Sequence, residues 1–72
     1  MTDESKSNRF KRLGKQRGER ILKDIQLLGN LSNRNNYEYS ESEVNKLFGT
    51  IEIELRSQKA RFLSNRKKEI KF

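Results

Sequence analysis

The chain has 72 residues, enough for one small domain whose core rarely supplies more than about 3–5 kcal/mol. It has no cysteine and no histidine, which excludes a disulfide staple, a thiolate zinc site and a conventional acyl-transfer triad. Seventeen Lys and Arg against ten Asp and Glu give a net charge of +7, which favours a polyanionic partner, nucleic acid before anionic membrane.

Residues 1–8 (MTDESKSN) are polar, of mixed charge and without period, and are expected to form a disordered tail. Residues 9–29 read as a first helix with two unequal halves. In the second half Ile21, Leu22, Ile25, Leu27 and Leu28 spread over more than half the helix circumference, the width expected of burial against more than one neighbour. Glu19 and Lys23 add an i,i+4 pair, and Gly29-Asn30 is a helix stop. In the first half Phe10 and Leu13 continue the apolar face, but Gly14 and Gly18 each cost about 1 kcal/mol relative to alanine. Either the glycines let the second helix approach closely, or this half stays flexible until it binds a partner; the expectation is a helix that is present but soft.

Residues 30–39 (NLSNRNNYEY) form the connector. Asn30, Ser32, Asn33, Asn35 and Asn36 are turn formers that bond nearby backbone, and Leu31, Tyr37 and Tyr39 are placed to fold back on the helices, which predicts an ordered loop. A second helix follows over 40–66. Ser40 and Glu43 have the spacing of a capping box, and Tyr39 with Val44 that of a hydrophobic staple. Val44, Leu47, Phe48, Ile51, Leu55 and Phe62 fall within an arc of about 100°, the single stripe of an amphipathic helix. Ile53 lies opposite that stripe. Residues 67–72 form a basic C-terminal end in which Ile70 and Phe72 are isolated.

Joined by one loop, the helices predict an all-α fold: an antiparallel helical hairpin, paired as a homodimer into a four-helix bundle because so small a core needs reinforcement. Residues 5–23 hold eight basic side chains and one acid, residues 55–72 seven and one, and residues 24–54 two and six. Both basic segments would meet at the open end of the hairpin. The expected phosphate contacts are Lys11, Arg12, Lys15, Arg17 and Arg20 with Arg66, Lys67 and Lys68; such contacts position a protein on nucleic acid without reading its sequence. Phe10 and Phe72 could stack on bases, although covering the end of a core is the commoner use. Asn33, Arg34, Asn36 and Tyr37 are candidate contacts to a protein partner or to base edges, weighed against plain turn chemistry.

No cofactor is expected. Glu38, Glu41 and Glu43 could hold a divalent ion, but they read better as charges favoured by the dipole at the start of the second helix. Gly14 and Gly18 match no nucleotide-binding fingerprint. No apolar run reaches the roughly 18 residues of a membrane span, and the polar N-terminus carries no signal peptide, so a cytoplasmic location is expected. Neither basic segment has the wide apolar face that a membrane-surface helix needs.

The run from Leu28 through Gly29, Asn30, Leu31, Ser32, Asn33, Arg34, Asn35, Asn36, Tyr37, Glu38 and Tyr39 to Ser40 resembles a signature of short bacterial proteins, often of plasmid or phage type. In them an LGNLSNRSNYEYT-like segment joins two helices. The similarity spans roughly residues 20–62. It implies a mobile-element setting and no catalytic residue. The leading expectation is a non-enzymatic nucleic-acid-binding protein. The alternative is an interaction or inhibitor module that docks through residues 30–39 on a nucleic-acid-processing machine.

Overall fold

The computed structural model describes residues 4–64. Among them the chain is all-α: helix α1, Lys6–Gly29, a single 3₁₀ turn, Asn30–Ser32, and helix α2, Glu41–Ser64, with no strand. Two units divide between Glu38 and Tyr39, the first holding α1 and most of the connector, the second holding α2. The last residues of the predicted second helix and the basic end 67–72, with Arg66, Lys67, Lys68, Ile70 and Phe72, lie outside the described residues.

The first helix starts three residues earlier than its apolar period predicts. Ser5 is its N-cap, in an extended conformation, and its Oγ accepts the Asn8 N–H at 3.1 Å. Lys6, Ser7 and Asn8 are therefore helical, not part of a disordered tail. A hydroxyl cap satisfies one of the orphan amides at a helix start and needs no hydrophobic repeat, so the period alone misses it.

Nor does α1 soften at its glycines: it runs unbroken through Gly14 and Gly18 to Gly29. A Cβ built at Gly14 or Gly18 meets no heavy atom within 4 Å, so alanine fits at either position within its own unit. The stop at Gly29-Asn30 is where expected, but its geometry differs. Gly29 stays right-handed, with φ −62° and ψ −26°, and the helix tightens into the 3₁₀ turn. The Asn30 N–H is shared among the carbonyls of Gln26, Leu27 and Leu28. A tightened last turn satisfies terminal carbonyls as a left-handed glycine cap would. The Glu19–Lys23 pair does not form, whereas Arg12 pairs with Glu4.

The start of α2 follows the predicted geometry closely. The Glu43 N–H donates to Ser40 Oγ at 3.1 Å, and the Ser40 N–H donates to Glu43 Oε1 at 3.0 Å, completing the capping box. Tyr39 and Val44, the staple positions, are half-buried in a stretch of exposed neighbours. Glu41 and Glu43 occupy the positive end of the helix dipole and Arg61 the negative end, each in the favourable sense. Gly49 does not interrupt the helix.

No described residue is buried. The stripe of α2 is half-buried at Val44, 38–39% exposed at Ile51 and Phe48, and opens to 64% at Phe62; Ile53, on the opposite side, reaches 69%. Leu13 and Leu28 of α1 are half-buried, while Ile21, Leu22 and Ile25 are exposed.

Two outcomes test this account. Gly14→Ala with Gly18→Ala should raise helicity and the thermal midpoint in circular dichroism, each change contributing about 1 kcal/mol toward helix. The hydrogen bonds from the Ser40 backbone and side chain hold the Glu43 carboxyl below its ordinary range. A carboxyl whose folded pKa is depressed stabilises above its unfolded pKa, and that stability disappears as pH falls through the folded pKa. Helicity of α2 should therefore decline on acidification below the usual carboxylate range. Glu43→Gln should retain helicity at neutral pH and flatten the acid limb; Ser40→Ala should lose about 1 kcal/mol at either pH.

Candidate functional site

Basic residues dominate α1, with eight against two acids, all on exposed positions. Its first turn contains no acid and its last turn no base, so Lys6 and Arg9 add to the positive end of the helix dipole. This arrangement disfavours the isolated helix slightly and concentrates positive potential near its N-terminus.

The five α1 residues singled out from the sequence do not share a face. At about 100° per residue, Lys11 and Lys15 lie on one side, Arg12 and Arg20 on another, and Arg17 within about 40° of Phe10, Ile21 and Leu28 on the apolar side. The structure brings together a different set. Arg9, Arg12, Gln16, Arg20 and Lys23 follow one another at spacings of three, four, four and three on an unbroken helix, within an arc of about 80°. Neither acid of α1, Glu19 or Asp24, lies within that arc. Arg9 and Lys23 escape a reading by local clustering of charge; the spacing is the signal that would have found them. It becomes meaningful once the helix is known to begin at Lys6 and to continue through both glycines.

One member of the stripe is already engaged. Arg12 Nε–H donates to Glu4 Oε1 at 2.9 Å and Arg12 Nη2 to Glu4 Oε2 at 3.0 Å, a bidentate pair eight residues apart. The hydrogen bond to Arg12, reinforced by its charge, holds the Glu4 carboxyl below its ordinary range and pushes the guanidinium up. Both partners are exposed, so the pair adds little to stability. It occupies the guanidinium fork in the two-pronged manner in which phosphate is also held.

The connector is organised around Asn33. Its Oδ1 accepts the Asn35 N–H at 3.0 Å, and its carbonyl accepts the N–H groups of Asn36 at 3.1 Å and Tyr37 at 3.0 Å. Asn33 thus spends its side chain on the turn, while Arg34, Asn36 and Tyr37 stand exposed around it. Leu31 is exposed as well, contrary to the expectation that it folds back on the helices. Phe10, placed for stacking, is exposed on α1.

On α2 an open groove of about 310 Å³ is lined by Glu52, Leu55, Arg56 and Lys59. Among the described residues no group of His, Cys, Asp or Glu is arranged to hold a metal ion, Glu38, Glu41 and Glu43 included. No described helix is long and apolar enough to cross a membrane.

No protein-family model, curated protein or solved structure matches the chain.

Replacing Asn33 with alanine should release the Asn35 amide first. Hydrogen exchange should accelerate at Asn35 more than at Asn36 or Tyr37, whose bonds run to the Asn33 carbonyl. Arg34→Ala should leave all three unchanged.

Proposed function

We propose that this chain is a non-enzymatic nucleic-acid-binding protein that holds the phosphate backbone along the stripe Arg9–Arg12–Gln16–Arg20–Lys23 of α1. The stripe carries the reading. Four cations and one amide lie on one face of a continuous helix, with no acid in the same arc. At 1.5 Å per residue it is about 21 Å long, the axial length of about six phosphates on one strand of a duplex. Lys11 and Lys15 extend the contact on one flank, and Arg66, Lys67 and Lys68 supply further charge from the C-terminal end. Arginine suits the task because its fork engages phosphate with two parallel hydrogen bonds. The absence of histidine and cysteine supports a role without acyl-transfer or thiol chemistry.

In this reading α1 and α2 form an antiparallel hairpin, and two copies of the chain assemble into a four-helix bundle that covers the apolar stripes. The setting is cytoplasmic and the biological context a mobile element. Glu4 competes with phosphate for Arg12, so nucleic acid must displace it.

A second reading draws on the connector, where an ordered turn presents Arg34, Asn36 and Tyr37 to solvent. There the protein docks on a nucleic-acid-processing machine, and the positive charge steers the approach. Substituting Arg34 and Tyr37 separates the two, because nucleic-acid affinity should be unaffected under the first reading and a partner complex lost under the second.

Fluorescence anisotropy with labelled duplex DNA, single-stranded DNA and RNA across a salt series tests the leading reading. Arg9→Ala with Arg20→Ala should weaken binding and flatten the slope of log affinity against log salt by about two for a duplex. Glu4→Gln should strengthen binding, and more than Asp24→Asn, which makes the same charge change without freeing a guanidinium fork. Equal, weak binding of all three nucleic acids, indifferent to these substitutions, would refute it.

A further inference from the structure

Once α2 is continuous from Glu41 to Ser64, its stripe resolves into a finer pattern. Val44, Phe48, Ile51, Leu55, Gln58 and Phe62 follow one another at spacings of four, three, four, three and four. This is a 3.5-residue repeat, the seam of a left-handed coiled coil, and five of its six positions are apolar. Asn45, Glu52 and Lys59 flank the seam on one side; Leu47, Glu54 and Arg61 flank it on the other.

The polar member is already satisfied within its own helix. Gln58 Nε2 donates to Glu54 Oε1 at 2.8 Å, and Gln58 Oε1 accepts from Arg61 Nη1 at 2.9 Å. Both ends of the amide have a partner, which lowers the cost of covering this part of the seam.

We propose that the seam of α2 packs against α2 of a second copy, in parallel and in register. The charges choose the orientation. In a parallel pair each residue before the first seam position of a heptad faces the residue five places later on the partner helix. Glu54 then faces Lys59 of the second copy, twice by symmetry, and Leu47 lies beside the stem of Glu52. The antiparallel register that covers the same six positions sets Ile51 against Leu55 of the second copy. It also brings Glu52 onto Glu52 and Glu54 onto Glu54, so like charges meet on both flanks. Shifting that register by one heptad in either direction relieves the charges but leaves apolar seam positions without a partner, Val44 and Phe48 one way and Phe62 the other. The parallel arrangement alone covers all five apolar positions with attractive flanks. It stacks Gln58 on Gln58, a single polar layer of the kind that fixes register. This inference rests on the two-copy reading above and is independent of what the basic stripe binds.

The full chain tests it, because a protein without cysteine accepts one engineered thiol unambiguously. Sedimentation equilibrium across concentration should give the mass of two chains. Glu54→Lys alone and Lys59→Glu alone should each raise the dissociation constant several-fold, and the double exchange should restore it. Under mild oxidation Gln58→Cys, or Leu55→Cys in the neighbouring layer, should cross-link to itself. A single-chain mass at every concentration would overturn both this pairing and the two-copy assembly. A two-chain mass with no self-cross-link at either position, but with a cross-link in a mixture of Phe48→Cys and Gln58→Cys chains, would overturn the parallel pairing alone.

Discussion

The constraint on which everything else rests is that no described side chain is buried. Each helix is held by interactions from its own neighbourhood: the backbone ladder, a hydroxyl cap, a capping box and short side-chain bridges. Such interactions sustain a 24-residue helix only marginally in water, where most helical stability derives from packing an apolar face. Covering the two apolar faces is therefore the main source of free energy open to the chain. Proteins that expose contiguous apolar surface generally cover it by association, and a small chain without staples has little other means of gaining stability.

The helices differ in how their charges meet the peptide dipole. Along α2 the charges follow it, acids first and Arg61 last, and a polar chain from Glu54 through Gln58 to Arg61 runs beside the stripe. That pattern suits a helix that must be stable and must recognise another helix. Along α1 the sense is reversed, with cations at the positive end and none in the last turn. Such an arrangement costs helix stability unless an anion relieves it. Glu4 does so in part, from outside the helix, and an external polyanion would do so more completely. Under the proposed reading, one helix is charged for assembly and the other for capture.

Much of this was legible in the residues. The Ser40–Glu43 box is a local code, two side chains and two backbone amides three positions apart, and nothing distant has to be known to read it. The stripe of α2 and the Asn33 turn are local in the same way. What was not legible depends on position in space. Ser5 caps α1 without an acid three residues on to announce it. The glycines lower helix propensity without abolishing it, and a helix capped at Ser5 runs through them. The Glu4–Arg12 pair joins residues eight apart, because the extended Ser5 turns Glu4 back along the helix. The basic stripe is likewise invisible to counting charges by segment: Arg9, Arg12, Arg20 and Lys23 align only on a continuous helix. Of the residues chosen from sequence, Arg17 falls on the apolar side of that helix, outside the stripe, for the same reason.

The two tyrosines, Tyr37 exposed on the Asn33 turn and Tyr39 half-buried before the cap of α2, are the only tyrosines in a chain without tryptophan. Near-ultraviolet emission from the unlabelled protein therefore originates within three residues of the boundary between its two units. The molecule carries an intrinsic optical reporter at its joint: emission from Tyr37 follows the water around the turn, and emission from Tyr39 follows the environment at the entrance to α2.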